Sequence, residues 1–383
     1  MSVPLRVGIN ARILHDSRIR GWSRYTLDLL AALARRGVEL YLYSDCSIAP
    51  EHLTRAGLPP ELHRVREAPP MRYLAWEQRW LPRALAEDRV DVFHSPFNFG
   101  LPWFSPCPRV LTLHDAIEHA YQAKDVPRPN QWNPRAIQSR LQGWRARARA
   151  DRIITVSQHA KDDITRVYGI PPEKIAVTYE AADEPFHRPV PDSVRAEVRG
   201  RHELPGRFVF YIGGWEGRKN VPFLVRSFAA ANPDGVGLVL AGAKSHERAA
   251  ITELAASLGI SDRVRLLGWV EDEDLPALYS EAMAFVYPSL YEGFGLQLCE
   301  AMACRCPTLA SRATCLPEVL GDGGETFSLD DTSELASLLR RVADDPAFRS
   351  NLVDRAGRRS RVFTWDETAD RTIAVYRDVI ANP

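Results

Sequence analysis

The sequence predicts an α/β protein made of two consecutive doubly wound units. Three observations lead there. Short apolar runs alternate with longer amphipathic ones along the whole chain. The alternation restarts near residue 205, after a stretch rich in proline and charge. The length, 383 residues, also exceeds what one core usually holds, since single cores stop growing beyond about 250–300 residues.

In the first half, Arg6–Asn10, Glu39–Ser44, Val90–His94, Val110–His114 and Arg152–Ser157 read as strands. Between them Ser23–Arg36, Ala75–Asp88 and Gln158–Tyr168 have helical periodicity. A βαβα order of this kind argues for a parallel sheet covered on both faces. In the second half, Phe208–Gly213, Gly237–Gly242, Val264–Leu267, Ala284–Tyr287 and Pro307–Ala310 read as strands with helices between them. Each unit can then hold part of a nucleotide ligand at its strand C-termini. The segment 181–205, with Glu184-Pro185-Phe186-His187-Arg188-Pro189, reads as an interdomain connector. A last helix, Trp365 to Ile380, follows a Phe363-Thr364 cap. The expected division is 1–182, 183–364 and a closing helix 365–383.

Composition narrows the function. Charged residues make up 26% and hydrophobic ones 45%, ordinary globular values. Formal net charge is zero, which argues against a dedicated nucleic-acid binder. Residues 1–190 carry 27 Lys and Arg against 21 Asp and Glu. That excess hints at an anionic partner, although scattered solvated arginine explains it as well. The six cysteines (46, 107, 299, 304, 306, 315) lack metal spacing and read as reduced core residues of a cytosolic protein. The N-terminus has no signal-peptide apolar region, and no run approaches the roughly 18 apolar residues of a membrane span.

The strongest chemical signal is Glu292-Gly293-Phe294-Gly295-Leu296-Gln297-Leu298-Cys299-Glu300. A strand, a glycine turn and a helix start make an anion site, because backbone N–H groups and the helix dipole favour negative charge there. The two carboxylates cannot bind phosphate, but they can accept from hydroxyls. A ligand with a central diphosphate and sugars at both ends fits that arrangement. Surface placement of both carboxylates is the plain alternative. The apolar run around Glu300 argues for burial, and buried carboxylates are rare without partners.

Two further loops add to it. Phe210 to Asn220 is a strand opening into Gly213-Gly214, then Arg218-Lys219 before a helix. It has no Walker A pattern, yet its cations suit a diphosphate. Leu111-Thr112-Leu113-His114-Asp115 ends a strand where ligands bind in open α/β sheets.

Together these residues resemble the retaining GT-B glycosyltransferases of family 4, the glycosyl transferases group 1 type. Glu292 to Glu300 is similar to that family's E-x7-E motif, Lys219 to the lysine on the donor phosphates, and His114-Asp115 to its "HD" segment. Gly21-Trp22-Ser23-Arg24-Tyr25 is similar to the family's G-I-G-R-Y loop, with Ser23 in place of the second glycine and Trp22 of the small aliphatic. Gly214 stands where many members have an arginine, a role Arg218 can fill. Gly268-Trp269-Val270 is similar to the segment whose backbone reads the nucleotide base. Ser157 to Lys161 looks like a family helix start and reads as structural, with Ser157 as N-cap.

The resemblance implies two Rossmann-like domains with a cleft between them, the first for acceptor, the second for nucleotide sugar, and a terminal helix crossing back to the first. It implies His114, Lys219 and Glu292 as catalytic residues. Donor contacts would come from Gly21, Ser23, Gly213, Gly214, Arg218, Lys219, Val270, Glu292, Gly293, Phe294, Gly295, Leu296 and Glu300. Trp22 and Asp115 fall on the acceptor side, with Asp115 also able to orient His114. Glu300 would hold ribose hydroxyls and Glu292 the transferred sugar, with closure around the diphosphate. No cofactor and no metal are implied. The expected activity is transfer of a hexose, mannose-like by family default, to a glycan or lipid-linked acceptor in cell-surface polysaccharide biosynthesis. The expected location is the cytoplasm, with the basic run Arg140, Arg145, Arg147 and Arg149 offering peripheral contact to an anionic membrane. A GT-B sugar-nucleotide epimerase and a catalytically idle GT-B binding protein are the alternatives. A Rossmann dehydrogenase would need G-x-G-x-x-G after the first strand, where Asn10-Ala11-Arg12 stands.

Overall fold

The computed structural model describes residues 4–16, 21–117, 134–242 and 245–382, and for 134–140, 245 and 246 the backbone alone. The chain divides into two compact units. One holds the described residues up to Glu180 and those from Thr364 onward; the other holds Ala181–Phe363.

The first unit is a seven-stranded parallel sheet of β1 (Arg6–Asn10), β2 (Glu39–Ser44), β3 (His63–Glu67), β4 (Val92–Ser95), β5 (Arg109–Thr112), β6 (Arg152–Thr155) and β7 (Ile175–Val177). Its order is β3-β2-β1-β4-β5-β6-β7. The direction of winding therefore reverses between β1 and β4, the place where open α/β sheets leave a crevice at the strand C-termini. Inner strands such as β4 (Val-Phe-His-Ser) and β5 (Arg-Val-Leu-Thr) are buried on both faces apart from Arg109 at the start of β5, as a helix-covered parallel sheet requires.

The terminal helix, Trp365–Ala381, belongs to this unit. Thr364 caps it, its Oγ1 accepting from the Glu367 backbone N–H at 3.2 Å, and Thr-x-x-Glu is a capping-box pattern. Three ion pairs hold it to the end of the helix Gly21–Arg35 and the residue after it: Arg35 to Asp366 at 2.9 Å, Arg36 to Asp366 at 3.1 Å and Arg36 to Asp370 at 2.8 Å. Its Tyr376 hydroxyl lies 2.6 Å from Nδ1 of the buried His94 on β4.

The second unit is a six-stranded parallel sheet of β8 (Arg207–Ile212), β9 (Val236–Ala241), β10 (Val264–Leu266), β11 (Ala284–Tyr287), β12 (Thr308–Ser311) and β13 (Glu325–Phe327), in the order β10-β9-β8-β11-β12-β13. The same reversal falls between β8 and β11. The two motif-bearing loops leave the C-termini of those two strands, so the topology brings them together.

The stretch read as a connector is structured and belongs to the second unit. It carries helices Glu184–His187 and Asp192–His202. Its prolines start helices instead of extending a linker: Pro185 sits in the first turn of one, and Pro191 precedes the other, positions where a missing N–H costs nothing. The run read as one helix from Ala75 to Asp88 contains a π turn at Trp76–Trp80. That turn rotates Trp76 and Glu77 into the interior.

Candidate active site

The second-unit site is built on two buried charges, Lys219 and Glu292, and a partly buried one, Arg218. Lys219 follows β8 and is 6% exposed; Glu292 follows β11 and is 8% exposed. Lys219 Nζ lies 2.7 Å from Glu292 Oε1, an ion pair off hydrogen-bond alignment. Arg218 donates to the other oxygen, Oε2, at 3.0 Å. Burial alone would raise the Glu292 carboxyl, but Lys219 and Arg218 hold it below its usual range. Burial pulls the Lys219 ammonium down, with Glu292 opposing. Lys219 also donates to the Tyr287 hydroxyl at 2.8 Å, and Tyr287 donates on to Gln297 Oε1 at 2.9 Å. Burial and then Glu292 push that phenol well up, so it stays an O–H donor.

The Glu292 turn is pinned from behind. The Glu292 N–H donates to Thr314 Oγ1 at 3.1 Å. The Cys315 thiol, kept protonated by burial, donates to the carbonyls of Glu292 at 3.3 Å and Phe294 at 3.2 Å. Gly295 enters the helix Leu296–Ala303 at φ +90, and a Cβ there would come within 2.9 Å of Leu316, so the position requires glycine. Phe294 packs edge-on against Phe363 at 5.7 Å. Leu296 opens the helix, and Gly293 sits inside the turn between Glu292 and Phe294.

Glu300 lies on the second turn of that helix, 4% exposed, and accepts from the Tyr279 hydroxyl at 2.9 Å. Gly213 and Gly214 form the turn after β8, where Tyr211 donates to the Gly214 carbonyl at 2.6 Å. Gly242, after β9, comes so close that a Cβ on it would sit 2.3 Å from the Gly213 carbonyl oxygen. Val270 is buried beyond β10, beside the half-exposed Trp269.

The first-unit residues gather around His114, just past β5. Its ring is 5% exposed. Trp22 stacks on it at 6.0 Å and Tyr25 meets it edge-on at 4.7 Å. Gly21 and Ser23 lie in the same helix start, Gly21 exposed and Ser23 buried. The sequence offered Asp115 as the group orienting His114. The structure puts Asp115 Oδ1 on the Ile117 N–H at 3.0 Å instead, and the carboxylate beside the ring is Glu180, with Oε1 3.3 Å from Nδ1. Beneath this, Thr112 Oγ1 links Tyr25 at 3.3 Å to His94 Nε2 at 2.8 Å. Burial drives His94 down to about 3, so it is neutral.

Sequence reasoning missed Glu180, Tyr287, Tyr279, Thr314 and Cys315. Tyr287 ends a strand aimed at the site, a signal that was available. In the basic run, Arg147 and Arg149 lie over the rings of Tyr168 and Trp103 at 3.9 and 3.7 Å, while Leu141 and Trp144 are exposed. The Arg140 side chain lies outside the described residues. Among the described residues no helix is long and apolar enough to cross a membrane.

The two winding reversals, each with a motif loop at its strand ends, define a two-domain α/β protein of the GT-B fold. Residues 19–184 match the family model Glycosyltransferase Family 4, and residues 195–359 match Glycosyl transferases group 1. The chain is 29% identical over 390 residues to O-antigen chain mannosyltransferase B of Escherichia coli, covering 94% of this chain and 96% of that protein. It is 31% identical over 283 residues to MMP alpha-(1->4)-mannosyltransferase of Mycolicibacterium hassiacum, covering 72% of this chain and 66% of that one. The crystal structure of Anabaena HepE in complex with UDP and glucose superposes with a TM-score of 0.75 at 18% identity, covering 98% of this chain and 100% of that one. The chain belongs to the group 1 glycosyltransferases and is a transferase enzyme.

Proposed function

We propose that this enzyme moves a hexose, mannose by preference, from a nucleoside-diphosphate sugar to a glycan or lipid-linked acceptor, with retention at the anomeric carbon, in cell-surface polysaccharide synthesis. The observation that carries the donor reading is the Arg218–Lys219–Glu292 cluster, with Lys219 and Glu292 buried, at the C-terminal ends of β8 and β11. Two cations converge there beside a helix start, the arrangement that stabilises a departing diphosphate. Mannose draws its support from the two mannosyltransferases named above. A nucleotide donor draws support from the UDP-bound structure of similar fold.

On this reading Lys219 and Arg218 take the diphosphate charge that develops as the glycosidic bond breaks. Glu292 turns to hydroxyls of the transferred sugar, and Glu300 accepts from the ribose. Val270 lies beside the base. No metal is needed, because two cations and backbone N–H groups supply the charge stabilisation. In the first unit, His114 is the candidate contact for the sugar, and Trp22 and Asp115 are the candidates for the acceptor. Peripheral membrane contact would use the exposed Leu141 and Trp144, with fewer arginines than the sequence suggested, since two are stacked on rings.

The deciding experiment incubates the protein with a panel of nucleoside-diphosphate hexoses and candidate acceptors, and reads donor loss and product anomeric configuration by NMR. Mannose transfer with the donor's configuration kept is expected. An inverted product, or an epimerised sugar nucleotide formed without acceptor, would overturn the reading.

A further inference from the structure

Of the eight residues of the helix Leu296–Ala303, Gln297 alone is not buried. It stands on the first turn of a helix that has no side-chain N-cap, so no side-chain oxygen takes up the backbone N–H groups there. The loop carrying Arg218 and Lys219 is tied to the same place, because the Leu290 N–H donates to the Arg218 carbonyl at 2.7 Å.

A proton count fixes how the Gln297 amide is turned. Lys219 Nζ lies 2.7 Å from the Glu292 carboxylate, and an ammonium has three donors and no acceptor. Its bond to the Tyr287 hydroxyl at 2.8 Å therefore runs one way, with Tyr287 accepting. Tyr287 is 0% exposed, so its own proton needs an acceptor inside the protein. Gln297 Oε1 at 2.9 Å is that acceptor. The reversed amide would set N–H groups against the phenol oxygen and leave a buried O–H unpaired, which burial penalises. Nε2 is thus turned away from Tyr287, and among the described residues it makes no hydrogen bond.

The groups gathered here with hydrogens still to give are the two cations, the uncapped first turn of the helix, and Gln297 Nε2. Such an array suits a ligand rich in acceptor oxygens and negative charge. We propose that Gln297 is a further binding residue for the donor's diphosphate, with Nε2 donating to a phosphate oxygen and Tyr287 holding the amide in the donating orientation. The proposal rests on the glycosyltransferase reading of this site. It gives Tyr287 a purpose beyond packing: the same phenol that accepts from Lys219 aims the amide of Gln297, so one buried hydroxyl orders two groups for one ligand. A side chain that merely received the Tyr287 proton would need only an oxygen, and glutamate supplies one.

That difference is the test. In Gln297→Glu a carboxylate oxygen still accepts from Tyr287, but the free N–H groups become a second, negatively charged oxygen. In Gln297→Met the side chain keeps its length and gives no N–H. The assay is calorimetric titration of the whole chain with UDP and with GDP, alongside melting temperatures of the free proteins. For whichever nucleotide wild type binds, Gln297→Met should bind about 10- to 100-fold more weakly, the scale of one hydrogen bond to a charged group. Gln297→Glu should bind more weakly still. Tyr287→Phe removes the group that sets the amide, so Gln297→Met should cost less in that background than in wild type.

Either Gln297 variant binding as tightly as wild type overturns the proposal. Strict additivity of Gln297→Met with Tyr287→Phe overturns it too, since the amide would then owe nothing to the phenol. A crystal structure of the wild-type nucleotide complex gives a readout that folding defects cannot mimic. Nε2 should lie within about 3.2 Å of a phosphate oxygen, and a separation beyond about 4 Å refutes the contact. If wild type binds neither UDP nor GDP, the donor reading fails and this proposal with it. If wild type binds one of them and the Gln297 variants bind it equally well, this proposal alone fails.

Discussion

Replacing Glu292 by Gln tests the charge arrangement of the second-unit site most directly. The carboxylate lies 2.7 Å from Lys219 Nζ and 3.0 Å from an Arg218 nitrogen. At those separations each attraction is worth about 5–6 kcal/mol in an effective dielectric of about 20. Desolvation offsets much of that sum. The net effect of removing one partner from a buried pair is about 3–5 kcal/mol, because the remaining charges are left uncompensated. For a unit of this size that lowers the melting temperature by roughly 6–20 °C, with Gln toward the lower end because it keeps one acceptor oxygen.

A nucleoside diphosphate would bring negative charge to the same two cations. It should therefore raise the melting temperature of Glu292→Gln more than that of wild type. The pH dependence has a definite sign. The folded Glu292 is held below its ordinary value of 4.5, so its stabilisation is full above that value and is lost as pH falls through the lower folded value. The Gln variant should lack this acid-side loss. Differential scanning fluorimetry with and without UDP and GDP reads all three effects. An unchanged melting temperature in the variant would remove Glu292 as the counter-charge. A diphosphate shift equal to wild type would place the diphosphate elsewhere.

Glu300→Ala should weaken nucleoside-diphosphate binding by about 1.5–3 kcal/mol, the worth of hydrogen bonds to a charged group; unchanged affinity by calorimetry would end the ribose assignment. Lys219→Met should cut kcat by at least about 10²-fold, as for loss of a group acting on developing charge, and near wild-type kcat with lowered stability would make Lys219 structural. Full activity in excess EDTA is expected from charge stabilisation by Arg218, Lys219 and backbone amides; activity lost on chelation and restored by Mg²⁺ or Mn²⁺ would refute it. Cys315→Ala removes the donor shared by the Glu292 and Phe294 carbonyls and should cost about 1–2 kcal/mol while weakening donor binding. If binding is unaffected, the turn holds itself.

The sequence was most legible where side chains are buried on both faces. β1, β2 and β11 run over Arg6–Asn10, Glu39–Ser44 and Ala284–Tyr287, the ranges their apolar runs predict. The strands it missed, β3, β7 and β13, are all sheet edges. β3 reads His-Arg-Val-Arg-Glu and is largely exposed; an edge strand of that kind carries charge where an inner strand carries valine. The π turn at Trp76–Trp80 was invisible because one extra residue changes which face is buried without changing composition. The connector was misread because proline marks helix starts as well as linkers.

The candidate site divides along the same line. Glu292, Lys219 and Glu300 announce themselves through local pattern, a glycine turn or a basic pair between strand and helix. Glu180 does not. It comes after an unpredicted edge strand, and its partner is 66 positions earlier in the chain. Asp115 was offered as able to orient His114 or to meet the acceptor, because it is adjacent to His114 in sequence; successive residues leaving a strand point apart, and Asp115 Oδ1 accepts from the Ile117 N–H.

The two units handle charge in opposite ways, and that contrast bears on how the reaction is shared. In the second unit the site is a permanent ion cluster: Arg218, Lys219 and Glu292 keep their charges through mutual pairing, with no neutral arrangement available to the arginine. Such a cluster suits an anion that arrives and leaves with full charge. In the first unit, several groups buried as deeply near His114 avoid charge. His94 is neutral, Tyr25 and Tyr376 keep their phenolic protons, and Trp22 stacks on the His114 ring. A surface of that kind offers shape, apolar contact and a few directed polar atoms, which suits a sugar and its acceptor hydroxyl better than a phosphate. On the proposed reading, the second unit carries the energetic burden of the leaving group and the first sets geometry. Substitutions in the cluster around Lys219 should then appear in donor affinity and in the chemical step together, whereas those around His114 should appear in kcat with donor affinity intact.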